Sequence, residues 1–183
     1  MIKVIQIGDP VLRTIAKEIL IDKITSSETQ KVIKDMKQAL AENEDGIAIA
    51  APQIGVSLRI FIISRRFFLL DEEGKLLPEI TSDDLAKHKD LVFINPKITN
   101  RSKKTQWLTE GCLSVRGVYG KVKRSEKVTI KAVDENGKLF TRGASGLLAQ
   151  TIQHENDHLN GILFCDKAKD LEEIDMSNDK NTA

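Results

Sequence analysis

The chain has 183 residues, with 28 lysines and arginines against 27 aspartates and glutamates, and its formal net charge is +1 at pH 7. The length fits one ordinary domain with its own core, and the interspersed charges exclude the basic footprint of a nucleic-acid-binding protein. No apolar run is long enough for a signal peptide or a membrane span, so the sequence predicts a cytoplasmic protein.

The first long element is a predicted helix that begins at Ser27. A brief helix is expected before it, after the turn signal Asp9-Pro10. Ser27 and Gln30 have the spacing of a capping box, and Gly46 follows as a stop signal. The apolar face of this helix, which is expected to pack on the core, comprises Val32, Ile33, Met36 and Leu40.

Short apolar or alternating segments after this helix predict a sheet-rich region. Asn95-Pro96 is expected to end one strand, a polar turn is expected at 100–103, and Asp134-Glu135-Asn136-Gly137 predicts a hairpin. The segment 143–146 is expected to break the sheet. The predicted strands are 58–63, 91–94, 119–123, 127–133, 139–141 and 162–164.

The order of these elements predicts an α+β fold in which antiparallel strands surround one central helix. One domain is predicted to span 1–166, and turn signals at 65–90 predict a surface insertion. The charged tail 167–183 is predicted to be a frayed helix or disordered.

The central helix, predicted from Leu147 to Asn160 with Gly161 as its stop, carries the clearest chemical signal. Its sequence includes His154-Glu155-Asn156-Asp157-His158, a His-Glu-x-x-His pattern. Residues four apart share one helix face, so both imidazoles can bind one metal ion. Glu155 is rotated by about 100° from His154, which suits a general base acting beside the metal.

A catalytic site of this type needs a third protein ligand. The continuation that supplies a third histidine has Phe164 in its last position, and Glu172 or Glu173 lies in the charged tail. Cys112 is the better candidate, because it lies in a polar, glycine-bearing stretch where a thiol is available to react. The other cysteine then has no partner, which excludes a disulfide framework and fits a reducing compartment.

Three motifs, in this order, resemble those of the peptide deformylase family. They are Gly46-Ile47-Ala48-Ile49-Ala50-Ala51-Pro52-Gln53, Glu110-Gly111-Cys112-Leu113-Ser114 and Gln153-His154-Glu155-Asn156-Asp157-His158-Leu159. The resemblance extends from Asp9 to about Asp166. Two positions depart from the family pattern: Ala48 replaces a glycine and Arg116 replaces a proline. Both border the expected substrate groove, so they bear on substrate affinity and selectivity.

The resemblance implies an enzyme that removes the N-formyl group from the N-terminal formylmethionine of newly made polypeptides and releases formate. It implies Cys112, His154 and His158 as the ligands of one divalent metal ion, with Fe²⁺ favoured and Zn²⁺, Ni²⁺ or Co²⁺ also accepted by the same set. Glu155 is implied as the proton acceptor.

Other residues are expected to hold the substrate. The resemblance implies that the Gln53 amide and the Leu113 backbone N–H stabilise the oxyanion. It also implies that the substrate backbone pairs with Gly46, Ile47 and Ala48. The helix face beside the metal ligands predicts a methionine pocket formed by Ile47, Leu147, Gln150, Thr151 and His154.

Supporting interactions are expected around the ligands. Glu110 is placed to accept a hydrogen bond from the loop or a ligand, and Asp157 is expected to pair with Arg124. A solvent-exposed ion pair is the alternative for Asp157.

The expected partners are N-formylmethionyl peptides and nascent chains, with transient ribosome contact and without direct nucleic-acid or membrane binding. Two alternatives stay open. One is a His-Glu-x-x-His peptidase, which the missing downstream ligand disfavours. The other is a catalytically silent binding protein for nascent chains or ribosomes, towards which only Ala48 and Arg116 point.

Overall fold

The computed structural model describes residues 2–43, 45–71 and 74–174. Its first long element is helix α1, Ser27–Glu42, which buries Ile33, Met36 and Leu40. The cap lies one residue earlier than the sequence predicts: the Ser26 hydroxyl accepts from the Thr29 N–H at 3.3 Å. Gln30 takes no part in capping, because its amide donates to the backbone oxygens of Ile24 and Glu135 at 3.0 and 2.9 Å.

An antiparallel five-stranded sheet forms the centre of the fold, with strand order β1-β2-β3-β6-β7. Its strands are β1 Ala48–Ala50, β2 Ile60–Ile63, β3 Leu91–Arg101, β6 Lys127–Val133 and β7 Leu139–Ser145. Successive side chains of a strand point to opposite faces, and in β2 both faces are buried. Ile60 and Ile62 pack with α1, whereas Phe61 and Ile63 pack on the opposite side.

Strand β3 is longer than the sequence predicts, because Asn95-Pro96 does not end it. Asn95 has a left-handed φ of 49°, and the register with β6 shifts between Ile94 and Lys97. Proline is tolerated at such an irregularity because no ladder donor is needed there. The Asn95 side chain exchanges hydrogen bonds with the Ile19 backbone at 2.9 and 2.7 Å, so a long-range contact holds this bulge.

A second antiparallel sheet has the order β4-β5-β8. Its strands are β4 Thr105–Cys112, β5 Val115–Ser125 and β8 Lys169–Glu173. The predicted frayed helix or disorder is wrong for residues 169–173, which pair with β5. A strand at the edge of a sheet can pair through its backbone without apolar side chains. The charged composition of 169–173 therefore gave no indication of a strand. Residues 175–183 lie outside the described part of the chain.

Helix α3, Gly146–His158, packs on the face of the central sheet opposite α1, through Ala149, Ile152 and the adjoining Leu159. The predicted break at 143–146 is wrong, because β7 continues to Ser145 and leads directly into α3. The predicted strand at 162–164 is wrong as well: a short 3₁₀ helix occupies Phe164–Asp166.

Shorter elements complete the described fold. They are the five-residue helix α2, Ser82–Ala86, and 3₁₀ helices at Pro10–Arg13, Ile21–Lys23, Ala51–Ile54 and Arg65–Leu69. Within the described residues, no helix combines the length and apolar character that a membrane crossing requires.

Gly161 follows the end of α3 with a left-handed φ of 71°, as its predicted role as a stop requires. A Cβ atom there would lie 2.5 Å from the Arg13 carbonyl oxygen, whereas one at Gly143 would have no neighbour within 4 Å. We expect Gly161→Ala to lower the free energy of unfolding by about 2 kcal/mol or more, through backbone strain and this clash. Urea unfolding beside Gly143→Ala checks this; equal losses in the two variants would contradict it.

Candidate metal centre

The three predicted metal ligands come together in space from two separate elements. Helix α3 carries His154 and His158, whose ring centroids are 5.0 Å apart, and Cys112 ends β4. One ligand atom from each residue lies within 4.8 Å of the other two, and Cys112 Sγ is 3.2 Å from His158 Nε2. The Cys112 sulfur therefore lies beside the two imidazoles only because the end of β4 lies next to α3.

The donor set fits a divalent metal ion. Metal–sulfur and metal–nitrogen bonds are about 2.3 and 2.0 Å long, so the donors around one ion lie about 3–4 Å apart. Burial alone would raise the pKa of the Cys112 thiol, but the neighbouring His158 and His154 outweigh burial and hold it well below its usual value. The thiolate is the form of cysteine that binds metals.

Glu110 orients one of the imidazoles. Its Oε2 is 2.9 Å from His154 Nδ1. Burial opposes ionisation of Glu110, yet hydrogen bonds from Arg124 and His154 lower its pKa to about 2. An ionised carboxylate only accepts hydrogen bonds, so Nδ1 carries a proton. Nε2 is therefore the nitrogen that can bind a metal, which would displace the second proton that the raised pKa of His154 favours. Glu110 thus accepts a hydrogen bond from a predicted ligand, as expected.

Arg124 joins this contact to the rest of the fold. Its guanidinium donates to both Glu110 oxygens at 2.7 and 2.8 Å and to Asp157 Oδ2 at 2.6 Å. Lys167 Nζ donates to both Asp157 oxygens at 2.8 Å. The predicted Asp157–Arg124 pair is therefore present, and it is buried rather than solvent-exposed: Arg124 is 4% exposed and Asp157 7%.

Glu155 stands apart from this network. It is 3% exposed, and its Oε2 has no hydrogen-bond partner among the described residues. Burial raises its pKa to about 7, although the nearby His154 and His158 favour the ionised form. Since Glu155 also lines the cavity beside the ligands, its free oxygen is positioned to bind something that enters there.

Gln53 is held with its amide nitrogen towards the same cluster. Its Oε1 accepts from the Ala50 N–H at 2.8 Å, which fixes the orientation of the amide. Its Nε2 then lies 3.2 Å from Ser114 Oγ and 3.5 Å from Cys112 Sγ. Sequence reasoning missed the role of Ser114, which is fully buried and was quoted only as a part of its motif.

A cavity of about 270 Å³ opens beside the cluster. Its wall includes Cys112, His154 and Glu155, while His158 lies beneath it at 1% exposure. The other predicted catalytic and substrate-binding residues also line it: Gly46, Ile47, Ala48, Gln53, Leu113, Leu147, Gln150 and Thr151. The sequence motifs, which are far apart in the chain, thus meet around one space.

Strand β1 is an edge strand of the central sheet, and Arg66 contacts the backbone of two residues that precede it. The Arg66 guanidinium donates to the backbone oxygens of Asn43 and Gly46 at 3.1 and 2.8 Å. A Cβ atom on Gly46 would lie 2.7 Å from Leu113 Cδ1, so glycine permits close packing of these two motifs. Sequence reasoning missed Arg66, which gave no signal within the segment taken as an insertion.

A helix that places two imidazoles beside a thiol and presents an unpaired carboxylate to the adjoining cavity is the arrangement of the His-Glu-x-x-His metallohydrolases. A family model described as polypeptide deformylase matches residues 1–173, and the chain belongs to this family, whose members depend on a metal ion.

Individual relatives agree with this assignment. The peptide deformylase of Halothermothrix orenii is 41% identical over 168 residues, which cover 91% of this chain and 93% of the relative. That of Fusobacterium nucleatum is 39% identical over 165 residues, covering 90% and 82%. The chloroplastic peptide deformylase 1A of Solanum lycopersicum is 37% identical over 164 residues, and the match covers 90% of this chain but 58% of that relative.

Solved structures show the same fold. A peptide deformylase from Synechococcus elongatus in complex with actinonin superposes with a TM-score of 0.73 and 37% identity, covering 92% of this chain and 79% of that one. A Met-Ala-Ser-bound class I type b peptide deformylase from Acinetobacter baumannii gives 0.77 and 31%, covering 91% and 97%. These neighbours confirm the predicted α+β class.

Proposed function

We propose that this protein removes the formyl group from the N-terminal formylmethionine of newly made polypeptides and releases formate. The observation that carries the proposal is the unpaired, buried Glu155 carboxylate beside the Cys112, His154 and His158 cluster, in a cavity bordered by an edge strand. The Acinetobacter baumannii relative bound to Met-Ala-Ser supports a peptide that begins with methionine as the product.

A divalent ion held by Cys112, His154 and His158 would act as a Lewis acid and supply a water of lowered pKa. Glu155 accepts a proton from the attacking water and then donates it to the leaving amine. Its lack of a partner within the described structure leaves its carboxylate available for both transfers.

Two donors stabilise the charge that develops on the formyl oxygen. The Gln53 amide already points its nitrogen at the cluster, since its oxygen is fixed by the Ala50 N–H. The Leu113 backbone N–H, next to the ligand Cys112, is the second donor. Loss of one such donor typically costs about 3 kcal/mol in the transition state.

The cavity wall divides into two substrate-binding parts. Gly46, Ile47 and Ala48 lie at and before the start of edge strand β1, where a peptide backbone can add as a further strand. The methionine side chain is proposed to lie against Leu147, Gln150 and Thr151 of α3, with Ile47 and His154 adjoining. The Gln150 amide donates to the Thr109 carbonyl at 2.9 Å, which ties this side of the cavity to β4.

Ferrous iron is the metal that we propose for the working enzyme. A thiolate with two imidazoles accepts iron and also zinc, nickel or cobalt, and the resemblance to deformylases favours iron. The partners that follow are N-formylmethionyl peptides and nascent chains, with transient ribosome contact, in the cytoplasm.

The direct test is formate release from a short formylmethionyl peptide by protein loaded anaerobically with iron. We expect turnover by the loaded protein, a fall to background after removal of the metal with a chelator, and recovery on reloading. Cleavage of an unformylated peptide would favour a peptidase instead. Absence of formate release from metal-replete protein would support the catalytically silent binding protein.

A further inference from the structure

Arg116 spans two parts of the cavity rim. It is an exposed residue of β5 near the rim, and its Nη1 lies 3.0 Å from Asp45 Oδ2 in the loop before β1. Its second Nη donates to Asn43 Oδ1 at 2.5 Å. Arg116 and Asp45 both line the cavity beside the Cys112, His154 and His158 cluster.

Arg116 is the one lysine or arginine among the residues that line this cavity in the described part of the chain. Three carboxylates also line the cavity, and they differ in their partners and their exposure. Glu110 is already paired with Arg124 and His154, and Glu155 lies beside the cluster. Asp45 faces water, with 60% of its side chain exposed. The positive charge on the rim is therefore accessible to a ligand in the cavity.

The contact between Arg116 and Asp45 is easily exchanged. An ion pair between exposed side chains contributes little to stability, and Asp45, once released, is solvated. Arg116 keeps its contact with Asn43 after that release, so the guanidinium stays at the rim. A guanidinium offers five N–H donors and binds a carboxylate in a bidentate manner, which leaves donors for an incoming carboxylate.

We propose that Arg116 is a specificity-determining residue that favours formylated peptides with Asp or Glu in one of the two positions directly after formylmethionine. This inference rests on the proposed function. The carboxylate of the substrate takes the place of Asp45 on the Arg116 guanidinium. A substrate with lysine in the same position gains less affinity from pairing with Asp45. Among the described residues Asp45 has no hydrogen-bond partner besides Arg116 to hold it in place, and its exposed carboxylate is hydrated.

The test compares formylated tripeptides that differ only by Asp, Asn or Lys at the second or third position. Asp and Asn have nearly the same shape, so their ratio isolates charge. We expect kcat/KM to be about two- to fivefold higher for Asp than for Asn, mainly through KM. High salt should reduce the ratio.

Variants separate the role of Arg116 from general effects. Arg116→Glu should reverse the preference to Lys, and Asp45→Asn should increase the preference for Asp because its competing carboxylate is gone. Arg101→Glu is the matched control, since Arg101 is exposed at the end of β3 and is absent from the cavity wall; it should leave the ratio unchanged.

Equal kcat/KM values for Asp and Asn at both positions, with formate released from both peptides, would overturn the inference and leave the proposed function intact. The same holds if Arg101→Glu and Arg116→Glu change the ratio alike. Failure of metal-replete protein to release formate from every peptide would overturn the proposed function and, with it, this inference.

Discussion

Glu155→Gln is expected to lower kcat by about 10²- to 10⁴-fold in protein that still contains its full complement of metal. Glutamine keeps the shape of the side chain but cannot accept the proton of the attacking water. The proposed ligand atoms belong to Cys112, His154 and His158, so metal content should be unchanged. The measurement is formate release from a formylmethionyl peptide, together with elemental analysis of the same sample.

Stability distinguishes loss of chemistry from loss of structure in this variant. Burial raises the pKa of Glu155 to about 7 in the metal-free site, so the folded protein without metal does not gain from the charged form. After removal of the metal, Glu155→Gln should therefore unfold at the same urea concentration as the metal-free parent or a higher one. Glu79→Gln, at an exposed position, is the control for both measurements. More than a tenth of the parental kcat in metal-replete Glu155→Gln would remove the proposed role of this carboxylate.

Several residues of the candidate site could be predicted from the sequence, because the geometry of a single helix brings them together. His154, Glu155 and His158 lie on one helix, and the period of an α-helix alone places them on one side. Cys112 and Gln53 are distant in the chain, and only their motifs indicated that they meet this helix. The structure brings these residues to one cavity, while the metal-binding and catalytic roles stay proposals.

The contacts that fix the ligands were harder to predict. The Asp157–Arg124 pair was expected, but its burial and the hydrogen bonds from Arg124 to Glu110 were not. The sequence does not indicate how far a charged side chain is buried. Arg66 gave no signal for a similar reason. Its partners include backbone carbonyl oxygens at the end of α1 and at Gly46, and every residue type offers a carbonyl.

Errors in the predicted fold share a physical cause, which is that tertiary contacts override local signals. Asn95-Pro96 is a reasonable strand end on local grounds, yet two hydrogen bonds to Ile19 hold it as a bulge within β3. The segment 169–173 lacks an apolar face, yet pairing with β5 makes it a strand. The strand at β2 was correctly predicted from its apolar run, because a strand that is buried on both faces consists almost entirely of apolar residues.

Arg124→Met is expected to be the most destabilising of the changes considered, with a loss of about 3–5 kcal/mol in the free energy of unfolding. Arg124 contacts two carboxylates that are 6% and 7% exposed, those of Glu110 and Asp157. Methionine fills a similar volume but leaves both charges without this cation in a buried site. Lys167 still compensates Asp157, so the uncompensated charge is mainly that of Glu110.

Three further variants show whether this loss of stability arises from a buried carboxylate that is left without a cation. Arg124→Met combined with Glu110→Gln should recover part of the stability, because the double variant removes the carboxylate that the single variant leaves unpaired. Arg124→Lys should lose less than Arg124→Met, since it keeps the charge but cannot bind Glu110 with two donors and Asp157 with a third. Arg142→Met, on β7, is the matched control and should unfold like the parent. If the double variant is as unstable as Arg124→Met, lost packing rather than charge explains the effect, and the view of Arg124 as the cation that keeps Glu110 ionised beside His154 is wrong.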